Sequence, residues 1–168
     1  MPEVDATIGP TLRPATPADA AVALSWTPQD DALRRWAGPS TRCPGTPETL
    51  WADITGADTT TYAFVSATGG LVGFGQVRLR ENTFGHLARI IVSPTHRGRG
   101  LGRALCLALM REAVRLYPAI RGFTLFVFTD NPTAIALYRS MGYADRGMHP
   151  QFDCMLMEAP LRALTTAP

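Results

Sequence analysis

The 168 residues carry 16 basic and 14 acidic side chains, a formal charge of +2, with 46% hydrophobic and 18% charged residues. That size and balance fit one folded domain and exclude a disordered chain, while the small net charge excludes a general nucleic-acid or membrane-surface binder. Every basic residue is arginine, and the absence of lysine excludes a Walker-type phosphate loop, a lysine Schiff base and a lysine general base.

The opening stretch MPEVDATIGP lacks a basic segment followed by an apolar one, so it does not read as a signal peptide, and no apolar run is long enough for a membrane-spanning helix. The expected location is the cytoplasm. Cys43, Cys106 and Cys154 are odd in number and far apart, which reads as free thiols in a reducing compartment. None of them clusters with His86, His96 or His149, so no metal site is expected.

Residues 1–60 hold 8 of the 14 acidic residues and all three tryptophans. They open with a short strand near Thr11 to Arg13, and three helices follow with a repeated start signal. Thr16 with Pro17, Thr27 with Pro28, and Thr46 with Pro47 each offer a hydroxyl cap and a proline at the first helical position. Gly38 is the expected stop of the second helix. TYAFVSATGGLVGFGQVRLRE then reads as two strands joined at Gly69-Gly70, and HLARIIVSP as a third.

From about Gly100 to Leu116, the residues Leu101, Leu105, Ala108, Leu109, Ala113 and Leu116 recur on one helical face. FTLFVFT, residues 123–129, is apolar on both faces, as suits a central strand. Asn131 and Pro132 open another helix that Gly142 closes, and YADRGM and QFDCMLMEAPL supply two last strands. This order predicts a mixed α/β sheet in a single domain spanning 1–168.

The segment VSPTHRGRGLGRAL, residues 92–105, sets Arg97, Arg99 and Arg103 among Gly98, Gly100 and Gly102, between a strand and a helix. Amides at the start of that helix lack intrahelical acceptors, and the helix dipole adds about half a positive charge there. Glycines allow a ligand close to the main chain, and the arginines add full charges, so the turn suits an anion with several oxygens, such as a pyrophosphate. The glycine spacing is not G-x-G-x-x-G, so a nicotinamide fingerprint is not matched. A short, unrepeated tract running into an amphipathic helix is also unlike an arginine–glycine RNA-binding tail.

RIIVSPTHRGRGLGRAL resembles the acetyl-coenzyme-A signature of the GNAT superfamily of N-acetyltransferases: Arg97, Gly100 and Gly102 fill its pattern of Arg or Gln, two residues, Gly, one residue, then Gly or Ala. NPTAIALYRSMGY adds a second similarity through Asn131, Ala134, Leu137, Tyr138, Gly142 and Tyr143, starting 29 residues after Gly102. The likeness covers about residues 70–145 well and the first 60 hardly at all. It implies a mixed, mostly antiparallel central sheet of about six to seven strands flanked by helices. The sheet would splay between strands 87–92 and 123–129. Residues 1–60 would form the acceptor side, and 61–168 the sheet and acetyl-CoA-binding core.

The resemblance further implies acetyl-CoA as co-substrate. Its pyrophosphate would lie on Arg97, Gly98, Arg99, Gly100, Leu101, Gly102 and Arg103, its thioester oxygen near a main-chain N–H of Ile91 or Val92, and its pantetheine arm against Asn131. On the residues alone, Tyr138 reads as a core tyrosine; the resemblance makes it the general acid for the departing thiolate. The ordinary values, about 10 for a phenol and about 8.5 for a thiol, agree with that transfer. His86 stands where several relatives carry Glu or His and is the expected general base, with Glu81 as its competitor.

The implied activity is transfer of acetyl to a primary amine by direct attack in a ternary complex. Three alternatives stay open: a small-molecule amine acetyltransferase, a protein or peptide acetyltransferase, and a non-catalytic acyl-CoA-binding module. The acidic first third favours the small molecule, because Trp26, Trp36 or Trp51 could cage a cation there. No nucleic-acid, membrane or metal partner is expected, and a homodimer is compatible with the resemblance.

Overall fold

A computed structural model describes residues 9–166; the first eight residues, with Glu3 and Asp5, lie outside the described residues. The chain runs through β1 (Thr11–Pro14), α1 (Pro17–Ser25), α2 (Asp30–Ala37), α3 (Pro47–Ile54), β2 (Thr59–Val65), β3 (Leu71–Arg80) and β4 (Phe84–Val92). A 3-10 turn at Pro94–His96 leads into α4 (Leu101–Leu116), β5 (Gly122–Phe128), α5 (Pro132–Ser140), β6 (Ala144–Met148), β7 (Cys154–Pro160) and α6 (Ala163–Thr166). The strands form one seven-stranded sheet in the order β1-β2-β3-β4-β5-β7-β6. Every pairing is antiparallel except the parallel pair β4 and β5.

Two of the three helix starts follow the threonine–proline signal. Thr16 accepts the Asp19 amide and Asp19 returns a bond to the Thr16 amide, and Thr46 and Thr49 do the same. The second start does not. α2 begins at Asp30 behind Gln29, because the buried Thr27 spends its hydroxyl on the Leu24 carbonyl at the end of α1. Gly38 closes α2 with φ +107, as expected. α6, four residues long, is too short to carry a helical period that sequence could announce.

Each face of the sheet has its own core. α4 buries Leu105, Leu109 and Ala113 against Val77, Leu87, Phe123 and Leu125, each large apolar side chain contributing about 1.5–3 kcal/mol. On the other face α1, α2 and α3 bring Ala20, Ala23, Leu33, Leu50 and Ile54 onto Phe74 and Ile91. Among the described residues no helix is long and apolar enough to cross a membrane.

Two irregularities in β4 shape the groove beside it. Phe74 pairs with Ile91 and Gln76 with Ala88, so Arg89 and Ile90 together oppose Gly75 in a β-bulge. On its other side β4 pairs with β5 only from Phe84 to His86, and beyond His86 and Thr124 the two strands part. The sheet therefore splays where the family resemblance expects it.

Candidate active site

The glycine–arginine turn is built by main-chain conformation. Gly98 and Gly100 have φ of +73 and +77, and Gly100 caps α4 in the left-handed region. A left-handed residue followed by right-handed Leu101 gathers successive amides into a concave, anion-binding nest. A Cβ at Gly98 or Gly100 would meet nothing within 4 Å, so the outer side of the turn is open. Arg97 donates through Nε to the Val92 carbonyl at 3.2 Å, and Arg103 through Nη1 to Ser140 Oγ at 3.0 Å, which ties the start of α4 to the end of α5. Arg99 is exposed.

A cavity of about 820 Å³ begins on this turn at Arg97, Gly98, Gly100, Leu101, Gly102 and Arg103, and continues along Ile91 and Val92 to Asn131 and Leu137. It joins a slot of about 100 Å³ between the parted strands, walled by Leu87–Ile90 on one side and Leu125–Phe128 on the other. Arg35, Trp36, Ile90, Asn131 and Ala134 border both spaces. Asn131 caps α5 by accepting the Ala134 amide on Oδ1 at 3.2 Å. That leaves its amide NH₂ available to the cavity, so capping and ligand contact do not compete for one atom.

Tyr138 borders the slot from α5, and only 8% of its surface is exposed. Burial, and secondarily the neighbouring Cys106 thiol, hold its phenol well above the ordinary value, so it stays protonated and donates. Its hydroxyl has no hydrogen-bond partner among the described residues. The Tyr143 ring packs against it at 5.9 Å, and the Tyr143 hydroxyl is itself buried without a hydrogen-bond partner among the described residues.

The bulge anchors the acceptor-side helices. Arg89, at φ +51, offers its carbonyl to Trp36 Nε1 at 2.7 Å. Its guanidinium donates to the Ala37 carbonyl and to Gln76 Oε1, both at 2.7 Å. The fully buried Gln76 passes this on to the Ile54 carbonyl and Thr61 Oγ1. Arg35 forms a two-pronged ion pair with Asp130 at 2.6 Å, joining α2 to the β5–α5 connection beside both spaces. Sequence reading singled out only Trp36 among these residues, and for a cation cage. The one local signal was an arginine inside the apolar run of β4.

His86 lies away from both spaces. It is 2% exposed and holds Thr124 Oγ1 through Nδ1 at 2.9 Å. Burial first, then the charges of Arg78, Arg80 and Arg89, push its pKa down to about 3. It is neutral at physiological pH but accepts a proton poorly, which argues against the general-base role expected of it. Glu81 sits in the β3–β4 turn at φ +53, paired with Arg80 at 2.9 Å. From there to the bulge is most of the length of β4, roughly 20 Å at strand rise. Among the described residues, no Asp, Glu or His lines either space.

The tryptophans form no cation cage either. Trp36 is committed to the bulge, Trp26 borders the larger cavity, and Trp51 packs among the helices. Asp19, Asp31 and Asp53 are spent on Arg13, Arg35 and Arg42. Among the described residues, no His, Cys, Asp or Glu cluster could hold a metal ion.

A sequence profile of the acetyltransferase (GNAT) family matches residues 30–143, from the start of α2 to Tyr143. The chain belongs to the GNAT acetyltransferase family. The match takes in the bulge, the glycine–arginine turn and Tyr138. The GNAT fold is shared with spermidine N-acetyltransferase from Vibrio cholerae, solved in complex with CoA and spermine. That structure has a TM-score of 0.76 at 17% identity, covering 94% of this chain and 99% of the other. Mycothiol acetyltransferase of Mycolicibacterium smegmatis is 34% identical over 82 residues, 48% of this chain and 28% of that protein. Aminoglycoside N(6')-acetyltransferase type 1 of Stenotrophomonas maltophilia is 33% identical over 113 residues, 60% of this chain and 65% of that protein. The chain spans less than two thirds of the length of the curated relatives it matches.

Proposed function

We propose that this chain transfers the acetyl group of acetyl-CoA to the primary amine of a small molecule, by direct attack in a ternary complex. The carrying observation is the unpartnered Tyr138 hydroxyl on a slot that continues into an open, arginine-flanked nest of amides. Relatives named for mycothiol and for an aminoglycoside, both small molecules, support a small acceptor.

In this reading the nest and Arg97, Arg99 and Arg103 hold the pyrophosphate, and the Asn131 amide touches the pantetheine arm. The amine nitrogen bonds to the thioester carbon from the slot, and a main-chain N–H of Ile91 or Val92 stabilises the oxygen as charge develops. The carbon–sulfur bond then breaks, the thiolate takes the Tyr138 proton, and Tyr138 recovers one from solvent. The ammonium proton leaves to water. The guanidinium groups around this face favour the neutral amine, as they favour neutral His86.

The test is thiol release from acetyl-CoA with a panel of small amines and peptide N-termini. Turnover confined to peptides would replace the small-molecule reading. Tight coenzyme binding without turnover on any amine would leave a binding module.

A further inference from the structure

The sheet face covered by α2 carries charge that the coenzyme turn does not use. Arg78 stands directly across the ladder from His86, and His86 across from Thr124, so all three project from one face. Arg80, next but one along β3, lies over the Phe126 ring at 5.7 Å, and Phe126 walls the slot. Phe126 meets His149 at 5.2 Å, and His149 meets Phe152 at 4.8 Å, so the β6–β7 connection adds an aromatic wall. These side chains adjoin the early half of β4, whereas the coenzyme turn comes after its far end.

The charges there are not balanced. Arg78 has no carboxylate partner among the described residues, and Arg89 gives its donors to the Ala37 carbonyl and Gln76. Arg80 alone has one, the exposed Glu81 of the hairpin turn. Glu158, across β5 from Thr124, faces Arg146 at 3.6 Å. An ammonium entering the slot therefore approaches past guanidinium groups, and a molecule with several positive charges is repelled. An acceptor that brings its own anion is drawn in.

We infer that Arg78 and Arg80 form a subsite for a carboxylate on the acceptor, so that the substrate is an amino-acid-like amine and not a polyamine. The inference rests on the acetyl-transfer reading.

Initial rates of thiol release from acetyl-CoA are to be measured for the standard amino acids, each beside its methyl ester, with spermidine alongside. The best acid should exceed its own ester in kcat/KM by roughly tenfold or more, the worth of a charge-assisted hydrogen bond. Spermidine should be slower than both. Arg78→Gln and, separately, Arg80→Gln should draw the acid-to-ester ratio towards one, with circular dichroism confirming that each variant is folded. Equal rates for acid and ester, or faster turnover of ester or spermidine, overturn the subsite and leave acetyl transfer standing. A preference for the acid that survives both substitutions overturns the assignment to these arginines. Silence across this panel, from protein that acetylates another small amine, overturns the subsite alone; silence on every amine, from protein that binds acetyl-CoA, overturns the transferase reading with it.

Discussion

In the proposed mechanism, Tyr138 is the residue on which the chemistry turns. Phenylalanine in its place keeps the ring packing against Tyr143 and removes only a hydroxyl that has no partner among the described residues. Stability should therefore move by less than about 1 kcal/mol, since no hydrogen bond is lost. Turnover should fall by roughly 10²- to 10⁴-fold, the usual contribution of a positioned proton donor, with acetyl-CoA affinity nearly constant. Single-turnover rates and coenzyme titration test both halves, and a folded Tyr138→Phe variant with at least half the wild-type rate removes the acid role. Gly100 gives a complementary test on binding. Valine there would have to hold φ +77, a cost of about 1–2 kcal/mol, and would push its methyl groups into the open side of the nest. The dissociation constant for acetyl-CoA should rise more than tenfold, measured by calorimetry. Both residues stood out in the sequence because their motifs are local. The state of His86 was not legible there, because its pKa is set by burial and by Arg78, Arg80 and Arg89, and their approach to it depends on the bulge and the β3–β4 register.

At the scale of elements, the groove is framed by pieces distant in sequence. α2 reaches β4 through Trp36 and Arg89, and reaches the β5–α5 connection through Arg35 and Asp130, 95 residues apart. The strands, α4 and α5 could be read from period and punctuation. Their cross-ties could not, because nothing near Arg35 announces Asp130. The misplaced start of α2 has the same origin: Thr27 had a competing partner at the end of α1. The Arg35–Asp130 pair is exposed on both sides, so Asp130→Asn should leave the melting temperature almost unchanged. Arg35 borders both spaces, and releasing it from Asp130 leaves α2 held to the groove only through Trp36, Ala37 and its core packing. The acetyl-CoA dissociation rate should rise several-fold in stopped flow, and added salt, which also screens the arginine–pyrophosphate contacts, should speed release in both proteins and narrow the difference between them. Identical release from both proteins at low salt would show that this tie does not restrain the coenzyme.

For the whole molecule, an all-arginine composition leaves permanent charge on a sheet face that also buries a histidine, and stability must answer to pH. His86 has a folded-state pKa of about 3, whereas the unfolded chain returns it to about 6.5. Between those values the unfolded chain binds the extra proton, so stability rises with pH across the window. The contribution is fully present above about pH 6.5 and is lost progressively as pH falls towards 3. Carboxylates obscure the lower part, because pairing with arginine lowers Asp19, Asp53 and Asp130 and they lose stability on protonation too. The clean interval lies between about pH 6 and pH 5, above their range, where one histidine is worth about 1 kcal/mol. Urea unfolding of wild type and His86→Gln at those two values isolates it, since His96 and His149 are common to both proteins. Wild type should lose about 1 kcal/mol more than the variant on going from pH 6 to pH 5. Parallel losses would mean that His86 takes up its proton in the folded protein as readily as in the unfolded chain, and a general-base role for it would then reopen.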